Sequence, residues 1–224
     1  MMGGSVTPEP LLERAPACRT AFLFCWIILA SGHPAPPATA AQASKAAVGV
    51  SRAAADSCAV KIKRLDDYAA VAIPAAKVGK QTTRITEDEI NSYLELELRP
   101  EYHASLKSLT VKLAESRLQG SASIDFDLVE LKNNPLLTGL LRKMLAGVHS
   151  LVVLGDLISA DGKAHFVLNE ARFDGITLPN LLVAEVITAV CRKQNPPFDP
   201  MKPSVLPYHI QKVDLHAGYI VVYQ

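Results

Sequence analysis

The densest run of chemically capable side chains is Glu87, Asp88 and Glu89, inside T-E-D-E-I-N (86–91). Clustered carboxylates can exchange protons with a substrate or hold a hard cation. Their spacing also has a purely structural explanation. Thr86 is placed to be a helix N-cap, and Glu89 three residues on completes a capping box. Ile85 and Ile90 occupy the two positions of a hydrophobic staple. Three acids suit the positive end of a helix, so the run is expected to start a helix rather than to form a site. Beyond residue 43 the histidines are His103, His149, His165, His209 and His216, none paired at metal-ligand spacing along a helix. His165 and His209 are expected in strands. No H-E-x-x-H, G-x-S-x-G, C-x-x-C, Walker loop or G-x-G-x-x-G occurs. No catalytic residue, metal site or cofactor is therefore expected, and the chain reads as a non-enzyme.

What remains is apolar surface. In FDGITLPNLLVAEVITAVC (173–191) a helix can start at Pro179, with Glu185, Thr188 and Arg192 as its one wet stripe. The apolar side chains from Leu182 to Cys191 cover an arc of roughly 200° at helical spacing. A second helix is expected over 135–147, with Asn134 as cap, Pro135 in the first helical position and Gly147 at the end. Leu136, Leu137, Leu140, Leu141, Met144 and Leu145 make its broad apolar face. Burying a Leu, Val or Ile side chain gains ~1.5–3 kcal/mol, so such faces demand cover. A sheet that curls around them supplies it, and can close into a solid core or leave an apolar tunnel.

The sheet is legible between the helices. LTVKL (109–113) and RLQGSASIDFDL (117–128) alternate, with Leu118, Gly120, Ala122, Ile124, Phe126 and Leu128 on one face. SLVVLGDLISA and KAHFVLNEARF flank Asp161-Gly162, a hairpin signal, and Asp174-Gly175 turns the chain again. After the Pro-rich NPPFDPMKPSVLP, a last hairpin forms around Ala217-Gly218 from YHIQKVDLH and YIVVY. The order is helix then two strands, three times over. The expected class is α+β, a curved and mostly antiparallel sheet of hairpins wrapped around two or three apolar-faced helices.

The chain has 224 residues, 49% hydrophobic, enough for one domain with a real core. A net charge of +1 and only 6% aromatics argue against nucleic acid as a partner. Residues 1–43 are expected to be a cleavable export signal. Arg14 and Arg19 precede AFLFCWIILA, and Ala41-Gln42-Ala43 offers a cleavage site. The apolar run is about ten residues where a span needs ~20, so the mature chain carries no spanning helix, though membrane contact is open to it. An uncleaved N-terminal anchor is the alternative. LASGH (29–33) has the form of a lipoprotein box with His33 in place of the lipidated cysteine. Cys58 and Cys191 remain, to form a disulfide or to stay as buried thiols. Residues 44–82 are Ala- and Lys-rich without a clean apolar face and are expected to be a loosely ordered lead-in to one domain over 83–224.

T-E-D-E-I-N opening a helix, G-I-T-L-P (175–179) before an apolar helix, and L-P-Y-H-I (206–210) entering a hairpin that ends in Y-I-V-V-Y come in an order that resembles the exported bacterial YpmS-like and LmeA-like proteins. Over residues 85–224 the chain is thereby similar, remotely, to the tubular lipid-binding (TULIP-like) folds, in which a curved sheet wraps a long helix. The resemblance implies lipid or amphiphile binding in the cell envelope, in the periplasm or after secretion. With the apolar faces it gives the expected lining of an acyl-chain groove: Leu140, Met144, Phe166, Leu168, Val183, Val186 and Ile187. The alternative is an envelope assembly factor with a solid core whose apolar surface docks a protein partner.

Overall fold

The computed structural model describes residues 49–70, 81–102, 104–128, 146–191 and 198–224. The elements run α1 (Arg52–Ala70), β1 (Thr82–Thr86), α2 (Glu87–Tyr93), β2 (Leu106–Ala114), β3 (Arg117–Asp125), β4 (Val148–Ala160), β5 (Lys163–Phe173), β6 (Ile176–Leu178), α3 (Asn180–Cys191), β7 (Ser204–Val205), β8 (Lys212–His216) and β9 (Tyr219–Tyr223). They build two open antiparallel sheets. One is β1-β9-β8; the other is β2-β3-β4-β5-β6, with β7 on β5. The class is α+β with a mostly antiparallel sheet, and neither sheet closes on itself.

α2 starts as its sequence dictates. Glu89 N donates to Thr86 Oγ1 at 3.3 Å and Thr86 N donates to Glu89 Oε2 at 2.8 Å, a complete capping box. Ile85 and Ile90 are both fully buried at the staple positions. The helix continues through a π turn at Leu94–Leu98 and a 3-10 turn at Arg99–Glu101.

Residues 52–70 depart from the expected loose lead-in. They form a 19-residue helix whose buried stripe is Ala55, Cys58, Ile62 and Leu65. Two of those four side chains are small, which is why the stripe is faint in hydropathy although its spacing is helical. The stripe belongs to the same core cluster as both sheets. Cys58 is buried with a free thiol.

Both Asp-Gly turns are where the sequence puts them. Asp161 and Gly162 (φ 51° and 73°), and Asp174 and Gly175 (φ 49° and 80°), take the left-handed conformation that a two-residue hairpin needs. β3 is shorter than expected, ending at Asp125, with Phe126–Leu128 in a 3-10 turn. His165 lies in β5, but His209 is not in a strand. Tyr208 and His209 have φ of 57° and 56°, which breaks extension, and β8 begins only at Lys212. Thr188, expected on a wet stripe, is buried, and its hydroxyl donates to Asp199 Oδ1 at 3.4 Å. A buried hydroxyl with an acceptor is no longer a mark of solvent.

A β-bulge sits between β4 and β5, where Leu154 pairs Glu170 and Gly155 pairs Leu168. A Cβ on Gly155 would collide with the Phe166 ring and the Val167 carbonyl, so the ring lies against the backbone there. The bulge anchors α3 as well. Asn180 Nδ2, in the first turn of α3, donates to the carbonyls of Asn169 (2.9 Å) and Leu168 (3.3 Å).

Candidate functional site

The acidic run builds a joint between elements. Glu89 is buried and accepts from Ser57 Oγ (2.5 Å) and from Lys61 Nζ at both oxygens (2.6 and 2.7 Å), besides its capping bond. Burial pushes its carboxyl up. The hydrogen bonds from Lys61, Ser57 and Thr86, with the Lys61 charge, outweigh burial and hold it below the ordinary carboxylate range. Burial, and then the nearby Glu89 charge, push the Cys58 thiol up to about 12 against the opposing pull of Lys61. Glu87 and Asn91 serve the exposed edge of β2. Leu113 N donates to Glu87 Oε2 (2.7 Å), Val111 N donates to Asn91 Oδ1 (2.8 Å), and Asn91 Nδ2 donates to Val111 O (2.9 Å). One helical turn from i to i+4 rises ~6 Å, close to the ~6.8 Å between alternate strand residues, so the two side chains reach alternate backbone groups. The motif thus caps a helix, ties α1 to α2 and covers a sheet edge.

A second polar group lies at the far end of the larger sheet. His149 Nδ1 is 2.5 Å from Asp174 Oδ2, and its Nε2 is 3.0 Å from the Ala146 carbonyl. Asp174 Oδ1 also accepts from Ser150 N at 2.7 Å. Its carboxyl is held below the ordinary range, first by His149 and then by Ser150. The imidazole stacks on Phe173 (4.9 Å between centroids, 23°) and meets Phe126 edge-on. A carboxylate-histidine pair is the start of a general base, but here both ring nitrogens face protein acceptors, which leaves neither to take a substrate proton. No group of three or more metal-ligating side chains occurs among the described residues.

The apolar candidate runs between these two ends. Registered across β2, β3 and β4 on one face are Leu113, Leu118 and Gly155, then Val111, Gly120 and Val153, then Leu109, Ala122 and Leu151. At the first of these rows the face is closed: Leu113, Leu118 and Gly155 are buried. Burial fades along the strands, through half-buried Ala122, Leu151 and Ile124 to half-buried Phe173. Ile176, opposite Phe173 on β6, is 69% exposed. Among the described residues, nothing lies within 4 Å of where a Cβ on Gly120 would stand. Among the described residues, then, this face is apolar and becomes less buried towards the end marked by His149 and Asp174. The opposite face is polar in β2 and β3, with a cleft of about 290 Å³ beside Glu87, Lys112, Arg117 and Gln119.

Of the residues expected to line a groove, Phe166, Val183 and Ile187 are buried in the core cluster and Leu168 packs half-buried against it. All four lie on α3 or β5, two elements that pack against each other. Leu140 and Met144 lie outside the described residues, as does the side chain of Val186. Gly120, Ala122, Ile124 and Leu151, half-buried on the apolar face of the larger sheet, were not among the expected residues because weight fell on helices with large side chains. The signal available was the run of small residues on the apolar face of RLQGSASID. Comparison with protein families, with curated proteins and with solved structures returns no match to this chain.

Proposed function

We propose that the protein is an exported, non-enzymatic binder that holds the acyl chain of a lipid or similar amphiphile in an apolar groove on the inner face of its larger sheet. One observation carries this reading: an apolar strand face that grades from buried at Leu118 to half-buried at Ile124, with no described residue within 4 Å of a Cβ on Gly120. A face of this kind left to water is costly, and single-chain amphiphiles gain by burial alone, with polar groups at the mouth setting orientation. The His149–Asp174 pair stands at that mouth. The resemblance to YpmS-like and LmeA-like proteins supports the same reading, as does the apolar sequence of 135–147. No helix among the described residues is long and apolar enough to cross a membrane. Native mass spectrometry of the full chain purified from a membrane-containing lysate tests this. The expected result is a co-purifying acyl-chain lipid, and bare protein at every collision energy contradicts it.

A second reading, a docking surface for an envelope protein, draws on the exposed rim at the same end. Leu128, Val148 and Ile176 are 45%, 58% and 69% exposed. Recovery of one specific envelope protein with no bound lipid favours it.

A further inference from the structure

The ring of His149 is held between two acceptors. Nδ1 is 2.5 Å from Asp174 Oδ2 in the β5–β6 turn, and Nε2 is 3.0 Å from the Ala146 carbonyl at the entry to β4. A neutral imidazole has one N–H and satisfies only one of them, whereas the imidazolium satisfies both. Phe173 stacks on the ring, Phe126 meets it edge-on, and only 14% of the side chain is exposed, so water is a poor substitute for either partner. Asp174 also accepts from Ser150 N and is held as a carboxylate, so it keeps the single N–H when the ring is neutral. The Nε2 lone pair then faces the Ala146 carbonyl oxygen. The next carbonyl, Gly147 O, accepts from Phe126 N at 2.9 Å. The charge on the ring therefore acts on the backbone that joins the end of β3 to the start of β4.

We infer that His149 is a pH-dependent clasp: as the imidazolium it fastens the entry of β4 to the β5–β6 turn, and on losing its proton it releases the Ala146–Gly147 backbone. Among the described residues, Asp174 is the charged group that faces the ring. Asp125 of β3 lies on the opposite face of the sheet and pairs with Lys107 at 3.2 Å; Arg172 of β5 lies on that face too and pairs with Glu170 at 2.6 Å. Asp127, one residue past Phe126, is exposed and of the sign that favours the cation. A histidine that the fold favours as a cation contributes stability that is fully present below its unfolded value, ~6.5, and is lost as pH rises through the folded one. The clasp is thus closed in acid and open in base. It stands independently of the acyl-chain reading.

The test is a pH titration of the full chain with two readouts. Side-chain nitrogen NMR follows the protonation of His149. Hydrogen exchange, corrected for intrinsic base catalysis, follows the protection of the Phe126 amide. The control is the amide of buried Phe166, which donates to Pro200 O at 2.7 Å away from the clasp. The expected result is that His149 titrates above ~6.5 and keeps its proton on Nδ1 when neutral. Phe126 protection should fall about tenfold for each pH unit by which that midpoint exceeds ~6.5, while Phe166 protection stays level. In His149→Gln, whose amide donates without titrating, Phe126 protection should not change with pH. A wild-type midpoint at or below ~6.5, a neutral ring protonated on Nε2, or Phe126 protection that stays level through the titration overturns the inference, and none of these needs a variant to fold. A fall in Phe126 protection that is equal in His149→Gln overturns it as well.

Discussion

Glu89 carries three duties: helix cap, acceptor for Ser57, and partner of Lys61. Because its folded pKa is lowered, its contribution to stability is fully present above the unfolded carboxylate value, ~4.3, and is lost as pH falls through the folded one. Glu89→Gln should therefore unfold at lower urea concentration near neutral pH, by about 2–4 kcal/mol, because Lys61 is left without its partner. Its stability should also vary less than wild type between pH 5 and pH 3, as equilibrium urea titrations will show. Cys58 gives a second check on the same joint. With its pKa pushed to about 12 and no exposure, it should resist alkylation at pH 8 in the folded protein and react at once in denaturant. Mass spectrometry after timed iodoacetamide labelling reads this directly. At this scale the capping box and staple were legible from T-E-D-E-I-N, because all their partners are within five residues. The bonds of Glu87 and Asn91 to β2 were not, since those partners are some twenty or more residues away. Thr188 was misread for the same reason: its acceptor, Asp199, lies eleven residues on, past a Pro-rich stretch.

Among the elements, hairpins were the most legible, because Asp-Gly specifies a left-handed pair of residues wherever it stands between alternating strands. The helix over 52–70 was hidden. Its stripe of Ala55, Cys58, Ile62 and Leu65 carries little hydropathy, yet Leu65 is fully buried and Gln224 Nε2 donates to its carbonyl at 3.0 Å. The segment is therefore core and not leader. Leu65→Ala should cost about 2–5 kcal/mol by chemical denaturation, a loss that a dispensable lead-in would not produce. The bulge is the other element-level feature invisible in sequence, since a glycine in GDL does not announce the ring that covers it. Gly155→Ala must displace Phe166 or shift Val167, so it should destabilise by about 1–3 kcal/mol or more in the same assay. Gly120→Ala should not.

The whole molecule divides its apolar residues unevenly. α1, α2 and the smaller sheet bury Leu65, Ile85, Ile90, Ile220 and Val222 almost completely, and the larger sheet shares this core at its Leu118 end. The two sheets are stitched there by backbone and hydroxyl bonds, Val213 N to Ser159 Oγ at 2.9 Å and Gly162 N to Gln211 O at 2.8 Å. Among the described residues, the other end of the larger sheet is only half-buried. Composition and periodicity foretold the α+β class with its mostly antiparallel sheet. They did not foretell that burial would fade from one end of the larger sheet to the other, because this depends on how two separate sheets meet. The proposed acyl-chain groove lies at this half-buried end, and a fluorescent reporter placed there reads its occupancy. The one tryptophan, Trp26, lies within the expected export signal, so a Trp26→Phe background carrying Phe173→Trp reports from the proposed groove mouth alone whether or not that signal is removed. Addition of a brominated fatty acid should quench that emission in a saturable way, and should leave the emission of a Tyr219→Trp control on the smaller sheet unchanged. Emission from Phe173→Trp that stays constant through the titration, or that falls only as the control falls, contradicts the account.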